Sequence, residues 1–489
     1  MDATKGTVTV SAANGNVSLT AAGKTAAGGK VTDVVTSGNS VIINASENSK
    51  GGTAGLGDIL VKGNVLGNTS VTINTDKGDI TLGNANLTTA AVDSKGNAYV
   101  RATTSGNVDV LGGGISAAKA AELSTAKGYA RLVGGMTASG GNAVVSAVGT
   151  GVTDSASDYS NSGNVTVTGT VSGTGAATLS ATQGNVNLKG GLSAGTGKAT
   201  ITATSSAAND TKNGNITVAG AAQGEVGSVS STSGAVAIGS TNGNINITGN
   251  ASAGTTLGVT TTTAGTIAVT GNLKTTGGEA TDKITVQTAG GSGDTITLNK
   301  ATSGNTDVLT TTSGDATVSS GAAATSIQGN ATVGGALEVV ATTGKLTVGG
   351  ASNLYTMSGG TTNIHTTTGA VEINGLAKST NSTKVTTTSG IITVNGGLQT
   401  TTADGDTGVV DLQVSSESGA ITLNQNADIN DGKVINSAGD ATVEVTGDNT
   451  SAISIQGDAS AVGALKVVST QGKVTVGGDT AYNLSSSDS

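Results

Sequence analysis

Residues 163–188 read GNVTVTGTVSGTGAATLSATQGNVNL, and this stretch decides the fold. Apolar and polar residues alternate through Val165 and Val167, a glycine-rich corner follows, and a second alternating run comes next. The opening Gly-Asn returns at Gly184, and the alternation resumes with Val186 and Leu188. A period of two is typical of a strand with one buried face, and its return after about two dozen residues is typical of a solenoid coil.

The glycines that open the strongest strands recur in four sets, each with a short, a long and a short step. These sets are Gly57, Gly78, Gly106 and Gly128; Gly163, Gly184, Gly214 and Gly234; Gly243, Gly265, Gly293 and Gly314; and Gly369, Gly390, Gly419 and Gly439. The spacing predicts about 20 coils of about 20–30 residues, stacked as one continuous β-solenoid over residues 1–489.

The last two sets are near copies of each other. Residues 326–329, 336–340 and 344–350 recur, with small changes, 128 positions later at 454–457, 464–468 and 472–478. This repetition predicts a segmental near-duplication of residues 243–368 and 369–489, because a solenoid accepts added coils by lengthening. The final residues, 485–489, read as a flexible tail.

The composition restricts both the core and the partners. The chain has 79 Gly and no Pro, Cys, Trp or Phe, so its core must consist of Val, Ile, Leu, Ala and Thr methyl groups. The absence of cysteine excludes disulfides and thiolate metal sites. A net charge of −9 argues against nucleic acid and against anionic membranes, and no apolar run is long enough to insert into a bilayer.

The corners are predicted from glycine and asparagine. Gly supplies positive φ, and Asn tolerates the left-handed region and can stack its amide on the Asn one coil above. The Gly-Asn pairs expected at such corners begin at Gly106, Gly163, Gly184, Gly214 and Gly243. Residues 115–123, ISAAKAAEL, have helix propensity, but their place in the repeat predicts strand.

Few residues suggest chemistry, and no catalytic, cofactor-binding or metal site is predicted. The single histidine, His365, falls on an outward strand position, and the carboxylates are scattered, with residues 428–431 the densest group. Residues 290–296, GGSGDTI, resemble a calcium nonapeptide but place Asp294 one position early. Threonine runs at 260–263, 310–312, 366–368, 386–388 and 400–402 are expected at outward strand positions rather than as an ice-binding ladder.

Strings such as NGNVSLTAAG, SGNVTVTGTVSG, QGNVNLKGG and NGNINITGN resemble the β-solenoid repeats of filamentous-haemagglutinin-type adhesins and autotransporter passengers of Gram-negative bacteria. The resemblance implies an all-β, single-stranded, right-handed parallel β-helix. It also implies export to the bacterial cell surface, and a role there as a stalk, an adhesin or a filament.

The ends of the chain decide between self-assembly and a longer solenoid. The chain enters on strand-like residues and leaves soon after another strand, so we expect uncapped end coils that pair with another copy or with further coils. The candidate self-assembly residues are Val8, Val10, Val17, Leu19, Val474, Val476 and Tyr482. We therefore expect a non-enzymatic extracellular structural protein, a filament-forming or stalk-like β-solenoid for adhesion or a surface matrix, whose uncapped end coils can polymerise head to tail. The alternatives are an adhesin that binds host or matrix glycans or ice through one flat Thr-rich face, and a polysaccharide-cleaving enzyme.

Overall fold

A computed structural model describes residues 1–489 except 21–33, 47–56, 85–86, 88, 150–161, 206–213, 222–226, 302–305, 351–353, 402–410, 448–449, 479 and 488–489. Within the described residues, the regular structure is β-strand, with one 3-10 helix at Asn430–Gly432. The chain divides into two compact units, Met1–Ala253 and Gly254–Ser489. Each unit is a stack of parallel strands, which confirms the predicted β-solenoid class.

Unit 1 contains the first 25 strands of the chain. They are β1 (Asp2–Ala3), β2 (Val8–Ala12), β3 (Val17–Thr20), β4 (Val35–Ser37), β5 (Ser40–Ala45), β6 (Ile59–Lys62), β7 (Val65–Gly67), β8 (Ser70–Lys77), β9 (Ile80–Leu82), β10 (Val92–Ser94), β11 (Asn97–Ser105), β12 (Val108–Val110), β13 (Ile115–Ala117), β14 (Ala121–Thr125), β15 (Ala130–Val133), β16 (Met136–Ala138), β17 (Ala143–Val148), β18 (Val165–Gly173), β19 (Ala177–Thr182), β20 (Val186–Ala194), β21 (Ala199–Thr204), β22 (Ile216–Ala219), β23 (Gly227–Ser231), β24 (Val236–Ser240) and β25 (Ile245–Ala253).

Unit 2 contains the remaining strands. They are β26 (Leu257–Thr261), β27 (Ile267–Thr270), β28 (Leu273–Thr275), β29 (Ile284–Gln287), β30 (Ile296–Asn299), β31 (Asp307–Thr310), β32 (Ala316–Ser320), β33 (Thr325–Gln328), β34 (Asn330–Thr332), β35 (Ala336–Ala341), β36 (Leu346–Val348), β37 (Tyr355–Thr366), β38 (Val371–Ile373), β39 (Gly375–Thr387), β40 (Ile392–Thr400), β41 (Leu412–Ser416), β42 (Ile421–Gln425), β43 (Lys433–Ser437), β44 (Ala441–Val445), β45 (Ile453–Gln456), β46 (Asp458–Ala461), β47 (Leu465–Ser469), β48 (Val474–Val476) and β49 (Leu484–Ser486).

In each unit the strands form three parallel ladders, which we name A, B and C in the order in which the chain visits them. In unit 1, ladder A runs β2, β5, β8, β11, β14, β17, β19, β21, β24. Ladder B there runs β3, β6, β9, β12, β15, β18, β20, β22, β25, and ladder C runs β1, β4, β7, β10, β13, β16, β18, β20, β23, β25.

Unit 2 repeats the arrangement. Its ladder A runs β26, β29, β32, β35, β37, β39, β41, β44, β47, and its ladder B runs β27, β30, β33, β36, β38, β40, β42, β45, β48. Its ladder C runs β28, β31, β34, β37, β39, β40, β43, β46, β49. The described ladders therefore contain somewhat fewer coils than the ~20 that the repeat length suggested.

The smallest coil explains the short step of the repeat. Val165 and Val186 are partners on ladder B, so one coil there takes 21 residues. The corner from A to B is the longest of the three in this minimal coil: Ala177 and Val186, the first inward residues of β19 and β20, lie nine positions apart. The same nine positions separate Leu337 from Leu346 in unit 2. Longer steps insert residues at corners and leave the ladders in register.

The core consists of inward-facing aliphatic side chains stacked coil on coil. On ladder B the successive partners Val165, Val186, Ile216 and Ile245 are all buried. Apart from Met136, Met357 and Tyr355, the buried hydrophobic residues of the described chain are Val, Ile, Leu and Ala, as the composition predicted. Each fully buried Val, Ile or Leu contributes about 1.5–3 kcal/mol, so the stack is stabilised by many small, similar terms.

Residues 115–123 form two strands joined by a corner at 118–120, so the strand structure that their repeat frame predicted is present on either side of that corner. Ile115–Ala117 is β13 on ladder C, and Ala121–Thr125 is β14 on ladder A. Their local helix propensity is overridden because each strand has a partner on both sides. The predicted tail is partly ordered too, since Ser485 and Ser486 lie in β49.

Buried hydroxyl groups close the corners, and the expectation that the threonine runs lie wholly outward is wrong. One threonine of each run is buried: Thr261, Thr311, Thr366, Thr387 and Thr400. Thr311 Oγ1 donates to the Gly314 carbonyl at 2.5 Å, and the Gly390 amide donates to Thr387 Oγ1 at 2.9 Å. Where the chain turns, backbone amide and carbonyl groups lose their ladder partners, and the hydroxyl takes the place of those partners. Ser or Thr is therefore favoured at these positions.

Side-chain oxygens of Asn and Asp link successive coils at the start of ladder B. The backbone amide of each Asn donates to the side-chain Oδ1 of the Asn one coil earlier. These pairs are Asn185 to Asn164 at 2.7 Å, Asn215 to Asn185 at 2.8 Å, and Asn244 to Asn215 at 2.9 Å. Earlier coils use carboxylates in the same place, since the Asn107 amide donates to Asp79 Oδ1 at 2.7 Å. At these Gly-Asn corners, the side-chain oxygen of one coil thus accepts from the backbone of the next.

In unit 2, Asn side-chain amides stack on one another from coil to coil. Asn395 Nδ2 donates to Asn374 Oδ1 at 2.8 Å, and Asn424 Nδ2 donates to Asn395 Oδ1 at 2.7 Å. Glycine is required where coils approach most closely: Gly106 has φ of 127°, and a Cβ there would lie 1.7 Å from the Gly78 carbonyl oxygen.

Candidate functional site: the first and last coils

We define the first coil as β1, β2 and β3 and the last coil as β47, β48 and β49. Each of these strands has a partner strand on one side only among the described residues. The sequence-predicted residues lie in both coils: Val8 and Val10 in β2, Val17 and Leu19 in β3, and Val474 and Val476 in β48. Tyr482 lies outside the strands, two residues before β49, and is half-buried.

The last coil exposes aliphatic side chains that point inward. Val474 and Val476 are 40% and 41% exposed, whereas their ladder partners in the preceding coil, Ile453 and Ile455, are fully buried. On ladder C, Leu484 is 41% exposed above the buried Ala459. These positions share one orientation with the core, and they are exposed because no coil of the described residues lies above them.

The first coil is better covered but follows the same pattern. Val17 is buried, and Val8, Val10 and Leu19 are half-buried. In the next coil, Val41 and Ile43, the partners of Val8 and Val10, are fully buried.

The backbone of each end coil has a defined hydrogen-bonding direction. Inward residues donate to the following coil, as the Ile453 amide does to the Lys473 carbonyl at 2.9 Å and the Ala441 amide to the Ala464 carbonyl at 2.8 Å. Outward residues donate to the preceding coil, as Thr36 does to the Met1 carbonyl at 2.8 Å. Because of this alternation, the backbone amides of the inward residues in the last coil point away from the coils below them.

The two end coils match in corner length. Val8 and Val17, the first inward residues of β2 and β3, lie nine positions apart, and so do Leu465 and Val474 of β47 and β48. β2 and β47 are also equal in length, at five residues. A β2–β3 pair can therefore cover a β47–β48 pair with all inward residues in register.

The prediction from sequence missed Leu465, Val467 and Leu484. Leu465 and Val467 are half-buried inward residues of β47, above the buried Ala441 and Val443. The near-duplication could have identified Leu465 from the sequence, because Leu465 repeats Leu337, a core residue 128 positions earlier. Leu484 directly precedes residues 485–489, the segment that was expected to be a flexible tail.

The other sequence candidates do not converge on a site. His365 is half-buried on ladder A, with Val340 and Thr386 as its partners. Asp294, of the calcium-like stretch, is buried and serves the backbone: its Oδ1 accepts from the Gly265 amide at 2.9 Å and its Oδ2 from the Gly291 amide at 2.7 Å. Both oxygens therefore act as caps for backbone amides at the corners.

The densest acidic stretch also has a structural role. Residues 428–431 end in the 3-10 helix, where Asn430 Nδ2 donates to the Leu398 carbonyl at 3.2 Å and to the Lys433 carbonyl at 2.8 Å. Among the described residues, no group of three or more His, Cys, Asp and Glu side chains is placed to hold a metal ion. Tyr159, one of the five tyrosines, lies outside the described residues.

Charged side chains in unit 1 link neighbouring coils. Arg101 Nε donates to Glu122 Oε1 at 2.9 Å and its guanidinium lies 4.1 Å from the centroid of the Tyr99 ring. On ladder B, Arg131 and Tyr129 both donate to Asp109, at 2.6 and 2.5 Å. Burial, and then the hydrogen bond to Asp109, raises the pKa of the Tyr129 phenol well above its usual range. Both clusters join coils and are exposed in part, so each contributes little stability.

No family model, curated protein or solved structure matches this chain. Among the described residues, no helix has the length and apolar character needed to cross a bilayer.

Proposed function

We propose that this chain is a non-enzymatic structural protein, a filament-forming or stalk-like β-solenoid that joins end to end with further copies of itself. The observation that carries the proposal is the exposed inward row of the last coil, Val474, Val476 and Leu484. A further coil above this row would remove its aliphatic surface from water, as the last coil itself does for Ile453 and Ile455.

The backbone supports the same proposal. Strand addition at an open sheet edge supplies main-chain hydrogen bonds, and three ladders would gain them at once. Because the first and last coils are different surfaces, their contact is heterologous. A heterologous contact that does not close produces a fibre.

We further propose an extracellular location at the bacterial surface and kinship with filamentous-haemagglutinin-type adhesins and autotransporter passengers. This part rests on the repeat strings quoted above, on the absence of cysteine and on the small polar residues at many outward positions. The non-enzymatic role is supported by the use of Asp294 and Asn430 as backbone caps.

The test is a dilution series of the 489-residue chain, followed by electron microscopy and sedimentation velocity. We expect particles that lengthen with concentration, and we expect the double variant Val474→Asp, Val476→Asp to stay one chain long. Thr475→Asp is the matched control, because Thr475 lies on the same strand and faces outward. Particles one chain long at every concentration, for the unmodified chain and the control alike, would overturn the proposal.

A second candidate function, glycan or ice binding on a flat face, is favoured by one observation. On ladder C of unit 1, six successive coils place a hydroxyl outward in one column: Ser116, Thr137, Ser172, Ser193, Ser230 and Ser252. Such a column repeats at the ~4.8 Å spacing between strands. Binding on a glycan array, or shaping of ice crystals, that disappears with Ser172→Lys and Ser193→Lys would promote this candidate.

A further inference from the structure

The outward face of ladder A in unit 1 carries large apolar side chains in an ordered column. The ladder partners at one outward position of five successive coils are Ile42, Thr72, Tyr99, Glu122 and Val144. Each of them is half-buried and faces outward, because its two neighbours in the strand are buried in the core. The column reads aliphatic, polar, aromatic, polar, aliphatic, and it is therefore symmetric about Tyr99.

The equivalent column has no large apolar residue among the described strands of unit 2. Its members on ladder A are Gly258, Thr285, Thr317, Glu338, Asn363, Lys384, Gln413, Thr442 and Lys466. Outward strand positions favour β-branched residues for local reasons, but threonine meets that need at several places in this column. The isoleucine, tyrosine and valine of unit 1 instead present apolar surface to water, which becomes favourable when another surface covers it.

The charged residues at the centre of this face form a neutral pair. The Arg101 guanidinium lies 4.1 Å from the centroid of the Tyr99 ring, and its Nε donates to Glu122 Oε1 at 2.9 Å. Arg101 Nη2 donates to Glu122 Oε2, and Ser124 Oγ donates to Oε1 at 2.8 Å. These bonds use three of the roughly four lone-pair sites of a carboxylate, so Glu122 can accept one more hydrogen bond.

We propose that this face binds the same face of a second copy of the chain, with the two solenoid axes antiparallel. A two-fold axis along β11 through Tyr99 sets each residue of the column against the one that lies equally far beyond Tyr99. Ile42 of one copy then meets Val144 of the other at both ends, and the two Tyr99 rings meet at the centre. Thr72 meets Glu122, and its hydroxyl supplies the donor for the remaining carboxylate site.

Other two-fold arrangements lose this match. An axis moved by one coil sets the two Glu122 carboxylates against each other, and an axis moved by half a coil sets Tyr99 against Glu122. With parallel solenoid axes, the strands of the two copies run in opposite directions, so Ile42 would meet Asn44 of the neighbouring column. The antiparallel arrangement about Tyr99 pairs apolar with apolar and donor with acceptor along the whole column.

The size of the face predicts a weak contact. Five coils at ~4.8 Å, with strands about five residues long, give roughly 400 Å² on each copy, or about 800 Å² in all. Stable complexes bury about 1,200–2,000 Å², so we expect a dimer that forms at high protein concentration and dissociates on dilution. The contact uses no residue of the first or last coil, so it is independent of end-to-end assembly.

Cysteine cross-linking traps this contact, because the chain has no cysteine of its own. The background is the chain with Val474→Asp and Val476→Asp, which separates lateral pairing from end-to-end growth. Asn44 and Ser146 lie in the neighbouring outward column, two coils to either side of Arg101. They face each other across the proposed joint, so we expect an oxidised mixture of Asn44→Cys and Ser146→Cys chains to give a covalent dimer.

The control cysteine lies further along the same column. Thr202 is two coils beyond Ser146, so Thr202→Cys chains mixed with Asn44→Cys chains should give no dimer. A dimer of Asn44→Cys chains alone would indicate parallel solenoid axes. That result, a dimer through Thr202→Cys, or no dimer at the highest soluble concentration would each overturn the proposal.

Sedimentation equilibrium of the same background without cysteines gives a second readout. We expect Ile42→Thr with Val144→Thr to lower the dimer association constant at least about tenfold, because both apolar ends of the joint are lost. The thermal unfolding curve should not move, since threonine is a good strand former at an outward position.

Val340→Thr is the matched control for this readout, because Val340 is an outward valine on ladder A of unit 2, away from the proposed face. It should leave the association constant unchanged. An association constant that the double variant leaves unchanged, or that Val340→Thr lowers equally, would overturn the proposal.

Discussion

Residues 326–348 and 454–476 carry nearly the same sequence in different surroundings. Leu346 and Val348 of the first copy are fully buried, with partner strands on both sides. Val474 and Val476, in the same places of the second copy, are 40% and 41% exposed. The difference teaches that in this fold a core residue owes its burial to the next coil rather than to its own sequence.

The largest difference in stability between the two copies is expected when the same inward valine is replaced by a charged residue in each. We expect Val348→Asp to lower the free energy of unfolding by about 3–5 kcal/mol, because the carboxylate would be buried without a partner. Val476→Asp should cost less than about 1 kcal/mol, because water reaches this position. Urea denaturation followed by circular dichroism measures both, and equal midpoints for the two variants would remove the contrast.

The corner hydroxyls should show a smaller contrast. Ser416 is buried and accepts from the Gly419 amide at 2.7 Å, while Ser469, half-buried in the last coil, accepts from the Gly472 amide at 2.9 Å. We expect Ser416→Ala to cost about 1–3 kcal/mol, because an amide is left unsatisfied in the interior, and Ser469→Ala to cost about 0.5–1 kcal/mol.

Hydrogen exchange at the two glycine amides reports this difference directly. Protection should fall at Gly419 in the first variant, whereas Gly472 should exchange readily even in the unmodified chain. Strong protection of Gly472 in dilute solution would argue that the last coil is already covered.

The smallest effect concerns an ion pair of the interior copy. Lys345 donates to Glu372 in the next coil, whereas among the described residues the repeated Lys473 has no such coil above it. The hydrogen bonds from Lys345 and then Asn374 lower the pKa of Glu372. Because the folded pKa lies below the unfolded value near 4.5, the stabilisation is present above that pH and is lost as the pH falls through the folded pKa.

We expect this contribution to stay under about 1 kcal/mol, since both side chains are partly exposed. The urea midpoint of the unmodified chain should exceed that of Glu372→Gln at pH 6, and the two should converge as the pH falls below 4.5 and through the folded pKa of Glu372. A gap that widens towards acid pH would contradict the assignment.

The sequence predicted the solenoid because its inward positions alternate without interruption. The alternation predicts one buried face that contains Val165, Val167, Val186 and Leu188. In the structure Val165 pairs with Val186, and Val167 with Leu188. The corners were less predictable. An outward and an inward threonine look alike in a run such as 366–368, and only the turn geometry makes Thr366 point inside.

The end coils were predicted only in part. Val474 and Val476 follow the alternation, but Leu484 lies after a turn that breaks the 21-residue period, so its ladder could not be read from spacing.

The Asn and Asp column of ladder B has a consequence for chemical ageing. Hydrolysis of an Asn side chain to Asp leaves the accepting oxygen in place, and Asp79 already performs this task for Asn107. The stack at Asn374, Asn395 and Asn424 differs, because each link there needs the Nδ2 donor that hydrolysis removes. Deamidation should thus keep the oxygen that accepts from the backbone at the ladder B corners of unit 1, while it removes the donor on which the side-chain stack of unit 2 depends.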